Sequence, residues 1–139
     1  LGDTQGDILL QMDIEGAEYT VLGSIPDAIW RRLRILVIEF HSLQYLWSRP
    51  FFTMARSVFG RLSASHVCVH LHPNNCCGAV AMGGIEIPRV MEATFLRRDR
   101  FEQAGLATRF PHPLDRPNTL GEELALPREW LNRPGVEQR

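Results

Sequence analysis

The sequence predicts an α/β fold, and three patterns predict it. Two apolar runs, Ile8–Ile14 and Ile35–Phe40, read as strands covered on both faces, as in a parallel sheet. Helical stretches follow each of them, the second with apolar residues at helical spacing from Phe51 to Leu62. His66–His72 then alternates, with Val67, Val69 and Leu71 on one face and His66, Cys68, His70 and His72 on the other. The predicted order is strand, helix, strand, helix, strand, loop, strand. Its first half alternates as parallel sheets do. Its last two strands, joined without a helix, predict an antiparallel pair at one edge.

Taken in order, Glu15-Gly16-Ala17-Glu18 opens a helix through Leu22, with the acids on its first turn, where the helix dipole favours anions. Asp27 caps a short helix over Ala28–Leu33. Ile35–Phe40 is the clearest strand, β-rich and six residues long. Arg49-Pro50 starts a helix to about Leu62, with Pro50 in the first turn. Pro73–Pro88, rich in Gly, Asn and Cys, reads as a long loop, and Arg89–Arg97 as the last strand. Arg97-Arg98-Asp99-Arg100 reads as its solvated end. From Phe110 onward five prolines break the pattern, leaving a turn of helix within Glu122–Trp130. The chain divides into a domain over residues 1–105 and a Pro-rich covering or disordered tail over 106–139.

Bulk properties narrow the class. The 139 residues suffice for one domain. Fifteen basic residues, every one Arg, face sixteen acidic ones. That balance supplies no field to draw in nucleic acid or an anionic membrane, so neither is an expected partner. No run reaches the roughly 18 apolar residues that span a bilayer. Three cysteines, two of them adjacent, suit a reducing, cytoplasmic setting better than a disulfide framework. The first residues do not read as a signal peptide, and with no initiator Met the chain reads as cut from a longer one.

The segment Gln11-Met12-Asp13-Ile14-Glu15-Gly16-Ala17-Glu18-Tyr19-Thr20-Val21-Leu22 resembles the strand-to-helix signature of the FkbM-type methyltransferases. Val37-Ile38-Glu39-Phe40-His41 resembles that family's second motif, an apolar strand ending in Glu. His70-Leu71-His72-Pro73-Asn74-Asn75 and Pro88-Arg89-Val90-Met91-Glu92-Ala93-Thr94-Phe95 resemble the closing hairpin of a subgroup. The likeness spans roughly residues 5 to 100. It implies a partial Rossmann-like sheet that binds S-adenosyl-L-methionine, of which this chain carries strands four to seven, parallel with an antiparallel edge hairpin. The Gly-rich cofactor turn of the family's first strand has no counterpart in these residues.

The resemblance and the residue chemistry together nominate a site. Ligands of open α/β sheets bind beyond the carboxyl ends of the strands, where Asp13, Ile14 and Glu15 would meet the cofactor. Asp13, Glu15 and His41 are the expected catalytic residues, His41 as a general base with His72 as the alternative. Glu39, a carboxylate in an apolar run, requires a partner or an exposed strand end. Glu39, His72, Asn74 and Asn75 would line the acceptor pocket, the two asparagines ordering the loop through their amides. Zinc at His70, His72, Cys76 and Cys77 fails on spacing, and no metal is expected.

The expected function is O-methylation of a hydroxyl on a saccharide or secondary metabolite. The competing expectation is a non-catalytic half-domain that pairs with another chain, or with itself, through an exposed edge strand.

Overall fold

The computed structural model describes residues 5–102, 107, 109–127, 130 and 137–138. A four-stranded mixed sheet organises them. Strand β1 (Ile8–Met12) leads to helix α1 (Glu18–Ser24), a short helix α2 (Asp27–Trp30) and strand β2 (Leu33–Phe40). Helix α3 (Arg49–Ser65) follows, then strand β3 (His66–Pro73), a small hairpin of β4 (Ala79–Met82) and β5 (Ile85–Pro88), and strand β6 (Met91–Arg97). Two-residue strands β7 (Arg109–Phe110) and β8 (Glu137–Gln138) pair with each other.

The sheet order is β1-β2-β6-β3. β1 runs parallel to β2, whereas β6 lies antiparallel to both β2 and β3. The alternating first half and the antiparallel pair at one edge are therefore both present. Three elements depart from expectation. Helix α2 starts at Asp27 itself, with Pro26 in the capping position and no side-chain cap, and ends at Trp30, so that Leu33 already belongs to β2. Pro73–Pro88 is not all loop: it holds the β4–β5 hairpin, closed by Gly83 (φ 61°) and Gly84 (φ 81°), a backbone conformation that glycine adopts without strain. The first helix begins at Glu18 and not Glu15, because Glu15 (φ 57°) and Gly16 (φ 105°) form a left-handed turn before it.

α1 and α3 cover one face of the sheet. Tyr19 and Leu22 of α1, and Ala55, Val58 and Leu62 of α3, bury against Leu36, Ile38 and Phe40 of β2 and Ala93 and Phe95 of β6. Tyr19 packs edge-on against Phe51, their ring centroids 4.9 Å apart. Pro50 stands in the first turn of α3, where its missing N–H removes no helical bond. The other face is not covered as the apolar runs predict. Burial alternates along β1 and β2, and Leu9 is 61% exposed. An apolar run shows which residues tolerate burial, not which layer lies over them.

The tail meets the sheet at several points. Phe110 and Leu126 pack on the core. Asp115 reaches His70 at 3.2 Å, and Asn118 donates to Glu92 at 2.6 Å.

Candidate active site

Parallel strands β1 and β2 end side by side, so the residues just past them share one rim of the sheet. Asp13 and Glu15 follow β1, Glu39 lies at the end of β2, and His41 follows it. Their side chains converge. His41 Nε2 stands 3.5 Å from Glu15 Oε2, 3.8 Å from Asp13 Oδ1 and 3.9 Å from Glu39 Oε2. Its other nitrogen, Nδ1, is 3.0 Å from Oε1 of Glu18.

The left-handed turn at Glu15-Gly16 makes this possible. It points the backbone N–H groups of Gly16 and Ile14 at Glu18 Oε1, over 3.0 and 3.3 Å. A second left-handed residue, Ser42 (φ 64°), turns the chain after His41. A Cβ on Gly16 would come within 3.4 Å of Ser42 Oγ, so the two turns lie against each other. Tyr19 donates its hydroxyl to the carbonyl of His41 at 3.0 Å, which fixes the backbone below the imidazole.

The four carboxylates sit in different surroundings. Glu18 is fully buried. Burial alone would raise its pKa, but the donated hydrogen bonds, from Gly16 first and then from its own amide and His41, hold it below the usual carboxylate range. Its second oxygen, Oε2, is buried and has no hydrogen-bond partner among the described residues. Glu39 moves the other way: burial pushes its carboxyl up, and repulsion from Asp13 adds to this against the opposing pull of Asn74 and His41. Asn74, itself buried, donates to Glu39 Oε1 at 2.5 Å. Asp13 and Glu15 are largely exposed, their side chains 57% and 86% accessible.

The structure thus brings together Asp13, Glu15, Glu39 and His41, with Ile14 half-exposed between the first two. Asn74 joins them through Glu39. His72 does not: it pairs with Glu92 at 3.7 Å, two strands over from Glu39, a lateral offset of roughly 10 Å. Asn75 does not either, because its amide bonds the tail at Thr119, Gly121 and Glu122. Glu18 was not singled out as a site residue from the sequence, where it read as an ordinary first-turn acid. No local pattern marks it, because its place beneath the site depends on the left-handed turn at Glu15-Gly16.

An imidazole held at Nδ1 and facing carboxylates at Nε2 can take up a proton and stabilise the charge that results. The same rim suits a cation: Asp13, Glu39 and His41 each offer a ligand atom within 4.8 Å of the others. His70 and His72, weighed above for zinc, are instead paired with Asp115 and Glu92.

These features define an α/β domain with a polar site at the carboxyl ends of its parallel strands. Comparison with known families sharpens the class: residues 3–66 match the family model described as Methyltransferase FkbM domain. That stretch carries β1, β2, α3 and all of Asp13, Glu15, Glu18, Glu39 and His41, so the recognition of an FkbM-type methyltransferase holds for it. No curated protein and no solved structure matches the chain.

Proposed function

We propose that the chain is the carboxyl-terminal part of an S-adenosylmethionine-dependent O-methyltransferase domain that acts on a hydroxyl of a saccharide or secondary metabolite. The observation that carries this reading is His41, tied to Glu18 at Nδ1 and open to three carboxylates at Nε2, inside the stretch that matches the methyltransferase family. When bound, the cofactor supplies an electrophilic methyl on a cationic sulfonium. The residues present fit that end of it. Among the described residues, each of the four carboxylates has His41 as its charged partner within 4 Å, which leaves the rim strongly anionic. Asp13, Ile14 and Glu15 would hold the sulfonium end.

His41 accepts the proton of the acceptor hydroxyl at Nε2. Glu18 holds the opposite N–H, so the ring stays in the tautomer with Nε2 free to accept, and the exposed carboxylates of Asp13 and Glu15 stabilise the imidazolium. Glu39, oriented by Asn74, accepts a hydrogen bond from the acceptor and sets its approach. Held in this geometry, the reacting groups gain from positioning as much as from proton transfer.

The test is transfer of labelled methyl from S-adenosylmethionine to a panel of hydroxylated acceptors by the full protein that contains this chain, beside its His41→Ala variant. The expected result is an O-methyl product and a loss of roughly 10²–10⁴-fold in kcat in the variant. A methyl found on nitrogen or carbon, or undiminished turnover in the variant, overturns the assignment.

One observation favours a second reading. β1 is an edge strand with Leu9 exposed at 61%, and such an edge can pair with another chain or a second copy. In that reading the chain is a non-catalytic half-domain. Sedimentation velocity distinguishes it: association weakened by Leu9→Lys supports edge pairing, and a concentration-independent monomer contradicts self-association.

A further inference from the structure

We propose that Asp13, Glu39 and His41 bind a divalent cation, through one carboxylate oxygen from each acid and Nε2 of the imidazole. This deepens the methyltransferase reading and rests on it only for what the ion does in catalysis.

The first argument is the tautomer of His41. Glu18 Oε1 accepts two backbone N–H groups and lies 3.0 Å from His41 Nδ1. An oxygen in that position acts as an acceptor, so Nδ1 carries the hydrogen. In the neutral ring the Nε2 lone pair then faces Asp13 Oδ1 at 3.8 Å and Glu39 Oε2 at 3.9 Å. A lone pair and two carboxylate oxygens this close together repel unless a proton or a metal ion lies among them. A histidine whose far N–H is held by a carboxylate is also the usual arrangement behind a metal-bound imidazole, because it orients the ring and raises its basicity.

The second argument is spacing. Bonds of roughly 2.0–2.6 Å to a divalent ion put adjacent ligand atoms about 3–3.7 Å apart and opposite ones about 4–5 Å apart. The three donor atoms all lie within 4.8 Å of one another. The third argument is charge. No arginine lies within 4 Å of the four carboxylates among the described residues; their ion pairs all go to His41. Glu39 is held in place by Asn74 and His41 by Glu18, so two of the three ligands are already oriented.

Two oxygens and one imidazole nitrogen suit an ion such as Mn²⁺, between the oxygen-seeking Mg²⁺ and the nitrogen-seeking Zn²⁺. The open coordination positions would take the acceptor hydroxyl. The ion then acts as a Lewis acid that lowers the hydroxyl pKa. In that state His41 is a ligand and not the proton acceptor. The O–H bond breaks toward Glu15, the exposed carboxylate nearest Nε2 and outside the ligand group; the oxygen keeps the electron pair with which it attacks the methyl, and the methyl–sulfur bond breaks with its pair left on sulfur, so that the cofactor departs as a neutral thioether.

The test needs no methyl transfer. The full protein that contains this chain is titrated with Mn²⁺, and the free ion is read by its electron paramagnetic resonance signal. One ion per chain is expected, displaced by excess Mg²⁺, with ¹⁴N coupling from one imidazole in the pulsed spectrum. Asp13→Asn, at an exposed position that leaves the fold intact by circular dichroism, should weaken binding by about tenfold or more. The control Glu86→Gln should not. Absence of binding at millimolar Mn²⁺, absence of the nitrogen coupling, or equal binding by Asp13→Asn overturns the cation site. Each of these leaves the methyltransferase reading with His41 as base, whereas a failed methyl-transfer assay with intact Mn²⁺ binding overturns that reading and leaves the site.

Discussion

His41 and Glu18 meet through a 3.0 Å hydrogen bond that joins the residue after β2 to the first residue of α1. The bond links the rim of the site to the core, because Glu18 is fully buried and adjoins Tyr19, whose hydroxyl holds the His41 carbonyl. Orientation of the imidazole and stability of the fold therefore share one carboxylate.

Replacement of that carboxylate should be felt in both. Glu18→Gln keeps the size but removes the charge that three N–H groups address, and we expect a loss of about 1–3 kcal/mol at pH 7. The pH dependence has a definite sign. The folded pKa of Glu18 lies below its unfolded value, so its contribution is present above the ordinary glutamate range, roughly pH 4.3, and fades as the pH falls through the folded value. Urea denaturation from pH 7 to pH 3 should show the gap between wild type and variant closing at the acid end. A gap that is constant with pH contradicts the assignment.

Asn74→Ala tests the other carboxylate. Asn74 is one of the groups that hold the Glu39 pKa down against burial. Without it the Glu39 carboxyl should titrate higher still, visible by carbon-detected NMR of the side-chain carboxyl. Because the folded pKa of Glu39 is raised, its ionised form disfavours folding, and this penalty grows as the pH rises through the unfolded and then the folded value. The variant should therefore lose more stability at pH 7, about 1–3 kcal/mol, than at pH 4. Equal losses at both would assign Asn74 a purely packing role.

The Glu15-Gly16 turn can be tested through its glycine. Gly16 has φ 105°, and a Cβ there would stand 3.4 Å from Ser42 Oγ, an ordinary contact. The strain comes from the backbone. Gly16→Ala should cost about 1–2 kcal/mol by thermal or chemical unfolding. It should also loosen the N–H groups that bind Glu18, seen as faster amide exchange at Gly16 than at Leu36.

How much of this was legible in the sequence follows from range. β2 and the Asp13–Glu18 segment were readable because a run of apolar residues and a run of acids are local patterns. The place of Glu18 beneath the site was not, since it depends on a left-handed turn that Glu15 adopts against its usual preference. The β4–β5 hairpin had a signal, Gly83-Gly84 between two short apolar runs, but the Asn, Cys and Gly before it read as loop. The insertion of β6 between β2 and β3 is a long-range pairing that no local pattern encodes. Glu39, Asn74 and His41 were each nominated singly. Their convergence with Asp13 belongs to the parallel pairing of β1 and β2.

A last prediction concerns His66, which lies away from the rim and is 1% exposed. Its Nε2–H donates to the Leu33 carbonyl at 2.9 Å, and in the neutral ring its Nδ1 accepts, over 2.8 Å, the single hydroxyl hydrogen of Ser65, which can otherwise reach the Arg61 carbonyl at 3.1 Å; Ser65 Oγ itself accepts from Trp30 Nε1. Both ring nitrogens are thus satisfied in the neutral form, and burial lowers the pKa, with Arg97 and Arg98 adding to it against Asp99 and the bond to Leu33. A histidine that favours the neutral form gives its full stabilisation above its unfolded pKa, roughly 6.5, and loses it as the pH falls below that value toward the folded one. His66→Leu removes the titration and leaves the buried Leu33 carbonyl without its donor, so it should cost about 1–3 kcal/mol at pH 7.5. The wild type should then lose stability between pH 7 and pH 5 while the variant stays flatter, and chemical denaturation should show the difference between them narrowing. A wild type whose stability is level across that interval would mean that His66 titrates alike in the folded and unfolded chains, against the burial and bonding at the junction of α3 and β3.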